Sequence, residues 1–319
     1  MVFGHYGYPA ILYRIGWSGV DLFFVLSGLL ISGLLFKEYR LTGSIGLKRF
    51  WIRRGFKIYP AFYGFLIFTI ISYALLGKLS LNIFSDLFFM QDYFQPIAEH
   101  GWSLGVEEKF YIVLPILLVA LMAMRKHKSD TFKPIPYIFL VILVACLAFR
   151  LEGLLTGQYW FEVHRQAHMR LDALFAGVTL GYYKEFHAES FRRAASLPIW
   201  LLALPLLLPI LFVEISSPVM VSLGATATLV GFAILVLWST GKTLPGGLGP
   251  IAWVGKYSYS IYLWNLVVES KLGHKEAGWG LASLPFYLAA SIGVGFLAAY
   301  LIETPFLALR DTRFPAKTA

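Results

Sequence analysis

Charge is scarce in this chain. Asp, Glu, Lys and Arg make up 14% of its 319 residues, where a soluble domain carries about a quarter. With 58% hydrophobic residues and a mean hydropathy of +0.68, the composition excludes an ordinary soluble globular protein and points to a polytopic helical membrane protein. Cysteine is nearly absent: Cys146 stands alone in an apolar run, which excludes an internal disulfide framework. There is no phosphate-binding Walker loop, no dinucleotide fingerprint after a strand and no Gly-x-Ser-x-Gly elbow, so the common nucleotide and serine-hydrolase chemistries have no foothold. Low-complexity segments, a basic tail and a cleavable signal peptide are missing as well. The formal charge of +9 does not indicate nucleic acid, because the basic residues lie between apolar runs, where membrane orientation explains them.

What the chain has is long apolar stretches. A spanning helix needs about 20 residues. Fuller runs are read at 17–36, 58–77, 103–124, 136–151, 167–183, 197–214, 219–239, 250–269 and 281–302. Met1 to about Leu12 is apolar but too short to span, so a first helix either lacks its opening turns or is re-entrant. The expected fold is all-α: a bundle of about ten transmembrane helices with a truncated first one, forming a single domain over 1–319 without an extracytoplasmic domain. Residues 82–99 read as an interfacial or re-entrant piece. Gly16, Gly19, Gly28, Gly33, Gly177 and Gly181 read as positions of close helix packing.

Orientation follows from Lys and Arg. With 37–57 inside, the segments on that side carry 19 and the alternate segments 6, the latter including Arg150, Arg165 and Arg170. This bias obeys the positive-inside rule and places 37–57 and the C-terminus in the cytoplasm. His5, Asp21, His100, Trp102, Ser103, Glu107, Glu108, Arg170 and Asp172 then fall near outer helix ends, whereas Lys48, Arg49, Arg53, Arg54, Lys57 and Glu303 fall at the inner face.

The stretch from His100 to Tyr111 organises the chemistry. Glu107 and Glu108 head an apolar run, and a charge at mid-bilayer costs about 2.5–3.5 kcal/mol on insertion scales. Carboxylates persist there by facing a polar interior, pairing with a cation or holding a proton. Adjacent helical residues point about 100° apart, so one glutamate lines a pocket while the other pairs with Lys109, Arg170 or backbone. His5 is either a general base among aromatic neighbours or an interfacial histidine. Asp172 stands two residues after Arg170, where an Arg–carboxylate pair is the plain reading. Arg49, Arg53 and Lys57 recur every four residues and share a helical face. Such a stripe binds phosphates, or it is a positive-inside flank touching anionic lipid. His164 and His168, four apart, can share a helical face, but no third ligand has metal-binding spacing and the nearby Arg165 and Arg170 oppose a cation.

Six stretches, in order and spread over most of the chain, resemble the membrane acyltransferase 3 family. They are Gly19–Gly28 (GVDLFFVLSG), Arg49–Pro60, Trp102–Tyr111 (WSLGVEEKFY), Met169–Gly177 (MRLDALFAG), Tyr257–Trp264 (YSYSIYLW) and Ile302–Pro305 (IETP). The resemblance implies an integral membrane enzyme of about ten helices in the bacterial inner membrane. Such enzymes move an acyl group, usually acetyl from acyl-CoA, onto hydroxyls of O-antigen, peptidoglycan, exopolysaccharide, lipo-oligosaccharide or macrolides. His5 matches the family's first-helix histidine, and Arg53 and Arg54 match its inner arginines.

The reading that follows has acyl-CoA bound from the cytoplasm by Arg49, Arg53, Arg54, Lys57 and Tyr59, with no metal. His5 deprotonates an acceptor hydroxyl oriented by Glu107 or Glu108, and Ser103, Tyr59 or Arg170 stabilises the oxyanion; Asp172 completes the catalytic set. The thioester either reaches deep into the membrane or hands its acyl group to a carrier residue. Two departures from the family stand out: no arginine lies about eleven residues before His5, and Asn265 replaces the histidine that often follows Tyr-Leu-Trp. The rival readings are a proton- or substrate-coupled transporter or flippase, and a non-catalytic remnant of the family.

Overall fold

The structure, a computed structural model, describes residues 10–78, 80–126, 128–242, 248–272 and 284–315. Among these residues every regular element is helical, as expected where lipid offers no partner to a backbone group and each must be satisfied within its own segment. The helices are α1 (Ala10–Thr42), α2 (Leu47–Leu75), α3 (Ile83–Leu87), α4 (Trp102–Met124), α5 (Ile135–Leu155), α6 (Trp160–Arg165), α7 (Leu171–Phe186), α8 (Ala188–Ser196), α9 (Trp200–Leu207), α10 (Pro209–Phe212), α11 (Ala225–Thr240), α12 (Gly249–Lys256), α13 (Ser258–Leu272), α14 (Leu284–Ala298) and α15 (Thr304–Arg313). Single π-helical turns at Met220–Gly224 and Ala299–Glu303 lead into α11 and α15.

Among the described residues, five helical segments are long and apolar enough to cross a membrane: Arg14–Thr42, Leu47–Leu75, Ile135–Leu155, Met220–Thr240 and Leu284–Arg313. A sixth is added if Ala188–Ser196 and Trp200–Phe212, bent by 71°, count as one. This is fewer than the runs read from sequence, for local reasons. α4 carries Glu107, Glu108 and Lys109 in one turn, α7 has 16 residues, and the 250–269 run breaks at Tyr257 into α12 and α13. The spans turn large apolar side chains outward, among them Leu30, Leu34, Ile67, Ile71, Val141 and Val144. That much exposed apolar surface is the mark of a lipid-facing protein.

Two compact units form. The first comprises residues 14–45 and 102–243. Here α1 and α7 approach to backbone contact: a Cβ added at Gly28 would lie 1.9 Å from the Leu174 carbonyl oxygen, and one at Gly177 would lie 2.1 Å from that of Val25. Gly181 likewise faces Ser32. Gly19 and Gly33 have open space beside them, so the packing role expected of those two does not hold.

The second unit comprises 1–13, 46–101 and 244–319. α13 and α14 cross closely at Gly295, where a Cβ would lie 2.4 Å from the Ile261 Cα. α2 packs on α15, and Lys48–Lys57, which precedes the apolar run read at 58–77, forms the opening turns of α2. Residues 82–97 make a short helix and turns that bury Asp86, Gln91 and Asp92. Phe89 takes a left-handed φ of 54° within them and stacks on Phe62 with ring centres 4.3 Å apart. Burial pushes the Asp86 carboxyl up to about 6, against the backbone N–H of Ile97 that donates to it at 2.8 Å.

Candidate active site

The first unit holds most of the candidate catalytic residues, and its interior is built from crossed ion pairs. Arg170 precedes α7 and donates to Asp21 on α1, 149 residues away in sequence. Asp172, in the first turn of α7, instead accepts from Arg150 on α5 at 2.8 Å. The local Arg170–Asp172 pair expected from sequence is therefore replaced by two longer-range ones. Arg150, Arg170 and Asp172 are all 0% exposed, and Arg150 also donates to the Met169 carbonyl at 3.1 Å and the Thr226 hydroxyl at 2.8 Å. Thus Arg150 ties α5 to α7 and α11 rather than lying in an outer loop. Buried ions persist where they are paired and hydrogen-bonded, and each of these is.

Glu107 is buried on α4, whereas Glu108 is half-buried, so the two adjacent carboxylates do point differently. Tyr111, one turn on, donates to Glu107 at 2.8 Å, and its hydroxyl lies 3.1 Å from that of Ser27 on α1. Ser103 is buried in the first turn of α4. Tyr111, Ser27 and Arg150 were not singled out from sequence. Tyr111 was legible as the i+4 neighbour of Glu107, and Arg150 as a charge at the end of an apolar run, which demands a partner.

An aromatic cluster covers these pairs. Trp17 stacks on Trp102 at 6.4 Å, and His164 meets both rings edge-on at 5.1 and 5.8 Å. His164 lies in α6 and His168 in the 3-10 turn that follows, so they do not share a helix face. Among the described residues no cluster of three or more His, Cys, Asp or Glu side chains is placed to hold a metal. Burial, then the charges of Arg170 and Arg150, hold the His164 imidazole well below its usual range and hence neutral. His164 joins Arg14, Trp17, Ser18, Asp21 and Ala225 in lining a cavity of about 20 Å³. Arg14 is fixed there by donating to the Leu211 carbonyl at 2.9 Å.

The second unit carries the cationic residues. Arg49, Arg53 and Lys57 do share one face of α2, and that face meets the end of the chain. Arg49 donates to the Pro315 carbonyl, Arg53 to the Phe314 carbonyl and to Asp311, and Lys57 to Glu303. Ser260 adds a bond to Glu303 at 2.8 Å, and Tyr259 one to the Ile58 carbonyl at 3.1 Å. Arg54 and Tyr59 lie on the same helix, with Tyr59 42% exposed. His100 bonds to the Leu263 carbonyl at 3.2 Å and accepts from Tyr262 through its own carbonyl. His5 lies outside the described residues, as do Lys275 and residues 316–319.

Comparison with known proteins identifies the family. An acyltransferase-domain family model matches residues 1–304. O-acetyltransferase OatA of Staphylococcus aureus (strain NCTC 8325 / PS 47) is 30% identical over 279 residues, covering 78% of this chain and 45% of that protein. OatA of strain COL matches equally. A provisionally named O-acetyltransferase of strain COL is 28% identical over 326 residues, covering 91% of this chain and 52% of its own length. The chain thus spans about half the length of the curated relatives it matches. No solved structure matches it significantly. With the apolar spans, the buried interior of the first unit and a family match across nearly its whole length, this chain belongs to the membrane acyltransferase 3 family.

Proposed function

We propose that the protein is an O-acetyltransferase that moves an acetyl group from acetyl-CoA to a hydroxyl of a cell-envelope or exported carbohydrate. The family match over residues 1–304 carries this reading, and the relatives named O-acetyltransferase support acetyl as the group moved. The protein sits in the bacterial cytoplasmic membrane as one domain of about ten spans, with α4, α7 and α13 counted as spans in addition to the five more apolar segments and with the C-terminus in the cytoplasm.

In the reaction, His5 takes the proton of the acceptor hydroxyl, the oxygen attacks the thioester carbonyl, and a C–O bond forms as the C–S bond breaks. The thiolate of CoA leaves with the proton that His5 returns. The oxyanion is met by a donor from Ser103, Tyr59 or Arg170. Glu107, held by Tyr111, and Glu108 orient the acceptor. Asp172 acts indirectly by fixing Arg150 at the start of α7. The donor's phosphates lie on Arg49, Arg53, Arg54 and Lys57. A guanidinium has five N–H groups, and the bonds from Arg49 and Arg53 to the C-terminal segment use only some of them.

The test uses membranes containing the chain, labelled acetyl-CoA and host envelope glycans. Label enters a base-labile ester on glycan, and His5→Ala abolishes it. Full transfer by His5→Ala would remove the histidine from the chemistry, and no label with any envelope glycan would sink the transferase reading.

A further inference from the structure

We propose that the cavity at the head of α1 is an anchoring subsite for the carbohydrate acceptor. A neighbouring hydroxyl of the sugar, not the one that is acetylated, enters it and donates to Nε2 of His164, while Arg14 lies at the mouth. The inference rests on the transferase reading above and names where its acceptor binds.

Size argues first. A cavity of about 20 Å³ accommodates a single oxygen-bearing group, which suits one hydroxyl. The chemistry of the wall argues second. His164 is 6% exposed, and its Nε2 has no hydrogen-bond partner among the described residues. A neutral imidazole offers one donor and one acceptor nitrogen, and a buried one left unmatched is rare in native proteins. An incoming O–H supplies what is missing. The ring is not free to turn elsewhere, because it is wedged between the indoles of Trp17 and Trp102. Asp21, another polar member of the lining, is held by Arg170, the second residue of the family-like Met169–Gly177 stretch.

The rim argues third. Arg14 and Trp17 are the partly exposed polar and aromatic members of the lining, beside the partly exposed Val213, Ile215 and Met220. An indole face packs on the C–H face of a sugar, and a guanidinium fixed at one N–H donates its others to ring or carboxylate oxygens. The opposite wall is built by the π-helical turn Met220–Gly224, which brings Met220 and Ala225 to the cavity. Single π turns inside helices recur at functional sites.

The experiment uses the full chain in nanodiscs, with acetyl-CoA as donor and an oligosaccharide released from the host envelope as acceptor. His164→Phe keeps an aromatic ring but removes the acceptor nitrogen. It is expected to raise the acceptor KM at least about tenfold while the donor KM stays within about twofold, and His164→Gln recovers most of the loss. Ala225→Val narrows the cavity from its apolar wall without touching a polar group and shifts the acceptor KM the same way. It also carries the test if His164→Phe fails to fold on gel filtration. Wild-type transfer with unchanged acceptor KM in both variants overturns the subsite and leaves the transferase reading standing. If the wild type transfers to no glycan, that reading falls, and donor-free calorimetry with the same oligosaccharide decides the site. Binding lost in Ala225→Val upholds a sugar site there, and no binding overturns it.

Discussion

The crossed ion pairs at the start of α7 make a prediction that a double-mutant cycle can decide. Arg150 and Asp172 have side chains 0% exposed and meet at 2.8 Å, while Arg170 bonds to Asp21 rather than to its sequence neighbour. Removing one partner of a buried pair costs about 3–5 kcal/mol, because the other charge is left uncompensated. Asp172→Asn should therefore lower stability by that amount, softened by the bonds Arg150 keeps to Met169 and Thr226. Arg150→Met should cost a similar amount, and the double variant less than the two together. A charge-assisted hydrogen bond is worth about 1.5–3 kcal/mol, which sets the coupling expected for Arg150 with Asp172 and for Arg170 with Asp21. Arg170 and Asp172 share no direct bond, so their coupling should be less than half as large. The assay is equilibrium unfolding in detergent micelles of the four single and three double variants. An Arg170–Asp172 coupling equal to that of Arg150–Asp172 would refute the crossed arrangement.

Three further outcomes are expected. Gly28→Ala and Gly177→Ala each drive a methyl into the facing backbone of α1 and α7, so each should lose at least about 1–3 kcal/mol; Gly19→Ala and Gly33→Ala, which face open space, should lose nothing, as thermal unfolding would show. Tyr111→Phe leaves buried Glu107 without its 2.8 Å donor and should cost about 1–3 kcal/mol and slow transfer, whereas an unchanged melting temperature would argue that Glu107 is satisfied elsewhere. Asp86 has a folded pKa of about 6, above the ordinary 3.8, so the native state holds the extra proton between these values. Stability from this group is then greatest below pH 4, falls as pH rises to about 6 and is fully lost above it; Asp86→Asn, which keeps an acceptor for Ile97, should flatten that slope and gain at most about 3 kcal/mol at pH 7.

Much of the fold was legible because lipid imposes a simple rule: apolar runs become helices. Where the runs were misread, the cause was local. Lys48–Lys57 joined α2 because Lys and Arg are good helix formers and their charges find Glu303, Asp311 and the carbonyls of Phe314 and Pro315. The 197–214 run contains Pro205 and Pro209 and divides into α9 and α10. Gly28 and Gly177 were recognisable as small residues but not as each other's partners, since 149 residues separate them. The same distance hid the Asp21–Arg170 bond, and closeness in sequence favoured the wrong, local partner. Spacing suggested His164 only as a weak metal ligand; its place between two indoles depends on α1, α4 and α6 meeting, which no single stretch encodes.

The central claim is that an acetyl ester forms on a carbohydrate hydroxyl. The most direct test incubates the reconstituted chain with acetyl-CoA and a purified envelope oligosaccharide, then measures the oligosaccharide by mass spectrometry and the released CoA thiol in parallel. The account predicts a gain of one acetyl mass on the sugar, matched mole for mole by free thiol and absent with His5→Ala. An unmodified sugar, whether thiol is released or the sugar only crosses the bilayer, would contradict it.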